Sequence, residues 1–211
     1  MHIAITGNIG AGKTSLAEKL ANHYQWEVMY EAVEGNPYLA NFYEDMEKWS
    51  FHLQIYFLNS RFEQILKITE QKKSKTIIQD RTIYEDAYIF ARNLYEAGKL
   101  NETDYLTYKG LFNTIIQAVP PPDLMIYLRA DMPKLVRQIQ KRGRDFEQNI
   151  DPHYLRSLNA LYEDFTSLYT HGQLLIIDVN ELDYVEREQD FQFIVDAVGE
   201  KLSVSSNKLI A

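Results

Sequence analysis

The chain has 211 residues, 45% hydrophobic and 25% charged, which is enough for one α/β domain with a sizeable core. It has no cysteine, which excludes a disulfide framework, a thiolate metal site and a cysteine nucleophile and fits a reducing compartment. The net charge of −8 argues against broad binding of nucleic acid, and no apolar run approaches the roughly 18 residues of a membrane span. The N-terminal residues are strand and loop in character, with no charged region leading into an apolar one, so no signal peptide is expected.

The first element is a short apolar strand, His2–Thr6. It runs into Gly7-Asn8-Ile9-Gly10-Ala11-Gly12-Lys13-Thr14, the G-x-x-x-x-G-K-[ST] phosphate loop, followed by Ser15 and a helix that starts near Lys13. Glycines let successive N–H groups turn into one concavity, and the helix N-terminus adds partial positive charge. Lys13 is placed to reach the β- and γ-phosphates, and the Thr14 hydroxyl to hold Mg²⁺. A nucleoside triphosphate with Mg²⁺ is the expected ligand.

A second strand, Trp26–Tyr30, ends at Glu31, at the carboxyl edge where parallel sheets hold ligands. A carboxylate there can accept the proton of an attacking hydroxyl, or can be a solvated loop residue like Glu34. A long helix from about Glu47 to Lys72 carries Gln54, Phe57 and Arg61 on one face. An amide, a ring and a guanidinium in that array can read a base edge, although an aromatic stripe also suits a core.

The third strand, Lys75–Gln79, ends at Asp80-Arg81. Asp80 suits a carboxylate that holds Mg²⁺ directly or through water, and Arg81 a cation for phosphate or acceptor oxygens. The alternative is a capping Asp and a surface Arg. Helices are predicted over Glu85–Ala97 and Glu102–Ala118, and Pro120-Pro121-Pro122 makes a rigid break before a fourth strand, Asp123–Leu128. A helix over Pro133–Arg142 leads into Arg142-Gly143-Arg144, either a cationic lid over the transferred phosphate, at about 142–150, or a solvated helix end. Another helix, Pro152–Tyr169, a fifth strand, Leu174–Asp178, and a last helix, Glu186–Leu202, complete the order, with a frayed tail at about 203–211. Strand and helix alternating in this way predict a five-stranded parallel sheet with helices on both faces.

These residues resemble the deoxyribonucleoside kinases, in particular the bacterial branch acting on purine deoxynucleosides. The markers run almost end to end: the loop at 7–14, Glu31-Ala32-Val33-Glu34, Trp49 to Gln54, Asp80 to Asp86 with Tyr88-Ile89-Phe90, Arg142 to Gln148, and Asp178 to Glu181. The resemblance implies a nucleotide-kinase-like fold with an arginine lid, and transfer of the ATP γ-phosphate to a deoxynucleoside 5′-hydroxyl. It implies Glu31 as general base with Arg81 beside the 5′-oxygen, and Tyr43 with Glu147 on the sugar 3′-hydroxyl. Gln54 would pair with the base, Phe90 would stack on it, and Leu53 and Phe57 would line its pocket. Arg61 with Asp86 would sit at the base edge, a charged pair that suits a purine, deoxyadenosine ahead of deoxyguanosine. Arg142 and Arg144 would hold the donor phosphates, and the stretch from Asp178 to Asp183, with Asp178 and Glu181 in it, the donor base. A homodimer and a role in cytoplasmic nucleotide salvage are implied likewise.

The sequence departs from the family pattern at Ala32, in place of a usual proline, at Phe57, where smaller groups are common, and at Gln138, where some relatives carry arginine. Two other readings share the loop and the sheet. A thymidylate-type monophosphate kinase would use arginines for an acceptor phosphate and would not need Glu31, and a nucleotide-dependent switch would bind without turnover.

Overall fold

The computed structural model describes residues 1–30, 35–144 and 150–208, with side chains to residue 203. Five strands form one parallel sheet in the order β2-β3-β1-β4-β5: β1 His2–Thr6, β2 Glu27–Met29, β3 Ile77–Asp80, β4 Leu124–Arg129 and β5 Gln173–Asp178. β1 lies at the centre, pairing Ile3 with Ile78 on one side and with Leu124 on the other. Ile3, Ile5, Ile78 and Ile126 are fully buried, as expected of strands covered on both faces. The five-stranded parallel sheet flanked by helices agrees with the sequence reading, with strand ends shifted by one or two residues.

The helices are α1 Lys13–Tyr24, α2 Leu39–Glu44, α3 Met46–Gln71, α4 Ile83–Glu85, α5 Arg92–Glu96, α6 Glu102–Ala118, α7 Met132–Arg142, α8 Pro152–Leu168 and α9 Glu188–Lys208. Their starts carry the chemistry that helix N-termini need. The Asp45 side chain accepts from Lys48 N at 3.1 Å, Asn101 from Asp104 N at 2.9 Å, and Asp151 from His153 N at 2.8 Å. α7 stops at Gly143, whose φ of 66° is the left-handed conformation that glycine reaches without penalty.

Three elements differ from the sequence expectation. α2 was not foreseen. The single helix predicted over Glu85–Ala97 is α4, a π-helical turn over Asp86–Ala91, and α5. The backbone expected to fray from Ser203 stays helical in α9 to Lys208. The proposed lid at about 142–150 has its core, residues 145–149, outside the described residues.

Because every strand is parallel, β1, β2, β3 and β4 deliver their carboxyl ends to one edge. The phosphate loop, Tyr30, Asp80 and Arg81 therefore meet there.

Candidate active site

A cleft of about 870 Å³ opens along that edge. Its donor wall is the loop itself, with Ile9, Gly10, Ala11, Gly12, Lys13, Thr14 and Ser15 all lining it. The glycines are required by space as well as by backbone. Gly12 has φ 92°, and a Cβ there would stand 2.0 Å from the Tyr184 hydroxyl. Gly10 has φ 85°, and its Cβ would stand 2.7 Å from the Leu135 carbonyl oxygen. Tyr184 donates to the Ala11 and Gly12 carbonyls at 3.3 and 3.0 Å, and burial pushes its phenol well above the usual range, so it stays a neutral donor. Lys13 Nζ donates to the Gly7 and Asn8 carbonyls at 2.8 and 3.1 Å, which curls it over the loop.

Gly7 and Asn8 support the loop from behind and are not among the cleft-lining residues. Gly7 N donates to Glu85 Oε1 at 3.4 Å. Asn8 turns its side chain away, donating to the Leu155 carbonyl at 3.0 Å and to Asn159 Oδ1 at 3.1 Å.

At the end of β3, Thr14 Oγ1 donates to Asp80 Oδ2 at 2.5 Å. Asp80 is 3% exposed, and its Oδ1 is buried without a hydrogen-bond partner. No group of three or more His, Asp or Glu side chains that could hold a metal occurs among the described residues. One hydroxyl and one carboxylate with an unsatisfied oxygen suit Mg²⁺, which keeps several waters and takes its other ligands from phosphates.

Arg81 follows with φ 70°, a left-handed conformation that costs a non-glycine residue free energy. That turn brings its guanidinium over the Phe90 ring, 4.4 Å from the centroid, and within 3.4 Å of the Tyr162 hydroxyl. Tyr162 in turn donates to Glu85 Oε1 at 2.8 Å, while Glu85 Oε2 accepts from Thr82 N at 2.8 Å. Glu85, fully buried, thus joins the start of the phosphate loop to the support of Arg81. Glu85 falls inside the Asp80 to Asp86 marker, and a carboxylate serving two backbone N–H groups leaves no periodic signal.

The acceptor wall comes from α2, α3, the π-helical turn and α8. Leu39, Phe42, Tyr43, Leu53, Gln54, Phe57, Asp86, Phe90 and Tyr154 line it. Gln54 is 3% exposed, and its Oε1 has no hydrogen-bond partner. Leaving such an acceptor buried and unmatched costs about 1–3 kcal/mol unless a ligand supplies the donor. The π-helical turn, a form that collects at functional sites, places Asp86 and Phe90 on the cleft side together.

Arg61 pairs with Asp86 but does not itself line the cleft. It is 2% exposed and stands behind Asp86, donating from Nε to Asp86 Oδ2 at 3.2 Å and from Nη1 to the Asp80 carbonyl and Gln64 Oε1, both at 3.2 Å. Its carboxylate partner faces the cleft in its place. Phe90 lines the cleft, and one face of its ring is covered by Arg81.

On the far side, Lys134, Gln138, Lys141, Arg142 and Arg144 face the loop. With Lys13 and Arg81, they concentrate positive charge in a chain of net −8. Asp178 and Glu181 do not line the cleft; Asp178 caps the Asn180 N–H at 3.0 Å, and residues 182–185 line it instead. Tyr154, Tyr184 and Lys134 line it without having been singled out from the sequence. Tyr154 falls on the apolar stripe of α8 and so looks like core, and burial pushes its hydroxyl well above the usual range. Glu31 and Glu147 lie outside the described residues.

The family model described as deoxynucleoside kinase matches residues 3–203. The deoxyadenosine/deoxycytidine kinase of Bacillus subtilis is 35% identical over 98% of this chain and 95% of its own length. The deoxyadenosine kinase of Dictyostelium discoideum is 41% identical over 92% of this chain and 77% of its own. A solved structure of the deoxyadenosine kinase from M. mycoides, with dCMP and dCDP bound, superposes with a TM-score of 0.83 at 32% identity, covering 95% of this chain and all of that one.

Proposed function

Since the chain belongs to the deoxynucleoside kinase family, we propose specific roles for its cleft residues in moving the γ-phosphate of ATP to a deoxynucleoside 5′-hydroxyl. The chain is an ATP-dependent deoxynucleoside kinase. The observation that carries the assignment of the two substrates is the buried, unmatched Oε1 of Gln54, a residue that lines the cleft with the phosphate loop. A nucleobase offers both a flat face and a donor to that oxygen.

In this reading, Glu31 takes the proton of the 5′-hydroxyl as the 5′-oxygen bonds to the γ-phosphorus and the bond from that phosphorus to the β–γ bridging oxygen breaks, releasing ADP. Arg81, fixed by its left-handed turn, holds that oxygen and offsets the charge growing on the phosphoryl group. Lys13, Arg142 and Arg144 bind the phosphates, with Lys134 and Lys141 adding to the field. Thr14 and Asp80 would hold Mg²⁺, which would neutralise charge on the donor phosphates when bound. Tyr43 and Glu147 hold the sugar 3′-hydroxyl. Leu53, Phe57 and Phe90 enclose the base. Asp86, held by Arg61, accepts from the exocyclic amine of the base. The amino groups of adenine and cytosine can donate to a carboxylate there, in keeping with the names of the Bacillus subtilis and Dictyostelium discoideum relatives given above. Deoxyadenosine is the favoured acceptor. The enzyme is further proposed to work as a homodimer in cytoplasmic salvage.

A phosphorylation panel of the four deoxynucleosides, adenosine, dAMP and dTMP with ATP and Mg²⁺ tests this. Deoxyadenosine is expected to turn over fastest; turnover of monophosphates alone would refute the acceptor site. Glu31→Gln is expected to lower kcat about 10²-fold or more with ATP affinity little changed. Activity within a fewfold of the parent would remove Glu31 as the base.

A further inference from the structure

β2 is the edge strand of the sheet, and its ladder to β3 pairs Glu27 with Ile77, Val28 with Ile78 and Met29 with Gln79. There the ladder ends. Beyond Asp80, β3 turns away through the left-handed Arg81, so the carbonyl of Tyr30 has no strand partner. It is met instead by a side chain from α3: Gln64 Nε2 donates to Tyr30 O at 2.7 Å. The other end of the same amide is equally committed. Gln64 Oε1 accepts from Arg61 Nη1 at 3.2 Å and from Gln79 Nε2 at 3.1 Å. Gln79 is itself oriented by His2, whose Nε2 meets Gln79 Oε1 at 2.9 Å. With the His2 ring neutral and protonated at Nε2, every hydrogen in the row points one way, from His2 through Gln79 and Gln64 to the Tyr30 carbonyl.

Two features of the cleft therefore meet on one amide. Its oxygen is bound to the guanidinium that holds Asp86 at the base pocket. Its nitrogen is bound to the last peptide before Glu31. We infer that Gln64 is a positioning residue, tying the base-reading pair Arg61–Asp86 to the strand exit that carries Glu31. This rests on the proposed roles of Asp86 and Glu31. Gln64 is not among the residues lining the cleft, so it acts only through these partners.

Two substitutions in the full-length protein separate its two ends. Gln64→Glu keeps an acceptor for Arg61 and Gln79 but has no donor for the Tyr30 carbonyl. It is expected to lower kcat roughly tenfold, inside the ~10²-fold that an ångström of misplacement can cost. Its nucleoside KM and its ranking of bases should stay within about twofold of the parent. Gln64→Met loses both ends, and should lower kcat and also change the ranking of deoxyadenosine, deoxycytidine and deoxyguanosine. Rates are normalised to the fraction of protein that binds ATP. Parent-like kcat and ranking in both variants, or a loss of kcat that vanishes on normalisation, would overturn the inference. Glu31→Gln in the same panel keeps the two questions apart. Full activity there removes Glu31 as the base, whatever Gln64 does, and parent-like kinetics of Gln64→Glu remove the positioning role, whatever Glu31 does.

Discussion

Arg61 and Asp86 show how little freedom a charged pair has once it is buried. Both side chains are under 5% exposed, 3.2 Å apart, and Arg61 also holds the Asp80 carbonyl and Gln64. Removing one partner leaves the other charge in low dielectric. Asp86→Ala is therefore expected to destabilise the fold by about 3 kcal/mol and to change the ranking among bases. Denaturant midpoints and the deoxynucleoside panel check both effects. An unchanged ranking with uniformly lower rates would make the pair structural only. Arg81 illustrates a second constraint on single residues. Its φ of 70° is uphill for any side chain, and the aligned partners around it, the Phe90 ring and the Tyr162 hydroxyl, are what hold it there.

Among elements, the pairing of β1 with β3 contains a titrating group. His2 is 3% exposed on β1, against Gln79 on β3. Burial holds its imidazole down at about 4, from an ordinary 6.5, with the Gln79 hydrogen bond working against the shift. The unfolded chain thus takes up the proton near pH 6.5, and the folded chain only near pH 4. Stability contributed by the neutral ring is complete above pH 6.5 and falls as pH drops through that window, by up to about 3 kcal/mol. Urea unfolding of the parent and of His2→Gln at pH 7 and pH 4.5 measures this. The parent should lose more stability than the variant, and parallel losses would exclude His2 as the source. The π-helical turn is the other element that matters. An ordinary helix with 3.6 residues per turn would not keep Asp86 and Phe90 in the same relation to the cleft.

On the scale of the whole molecule, the sheet was legible because its strands are short apolar runs between helical patterns, and the phosphate loop because its spacing is tied to one geometry. α2 was not, since Leu39–Glu44 is too short to establish a helical period. The π-helical turn was not, because periodicity is read at 3.6 residues. Arg61 was placed on the correct face of α3, but its depth was not legible, because helical spacing gives direction and not distance. Of the stretch from Asp178 to Asp183, only its end, Leu182 and Asp183, lines the cleft, together with Tyr184 and Val185 beyond it. The outer surface carries exposed apolar side chains on the neighbouring helices α3 and α6, Leu66 at 51%, Leu106 at 58% and Leu111 at 46%. The proposed homodimer would cover apolar surface of this kind. Light scattering is expected to give a mass near twice 24.7 kDa, and a monomer at micromolar concentration would count against it.

The Tyr184 hydroxyl reaches the Ala11 and Gly12 carbonyls from more than 170 residues away in the chain. In a trans peptide the oxygen and the following N–H point in opposite directions. Pinning those two oxygens therefore fixes the orientation of the Gly12 and Lys13 N–H groups, on the side away from Tyr184, before any phosphate arrives. An eight-residue motif that looks self-contained on paper is thus a long-range structure in thermodynamic terms. Much of the entropy of shaping the anion socket is spent during folding rather than at nucleotide binding.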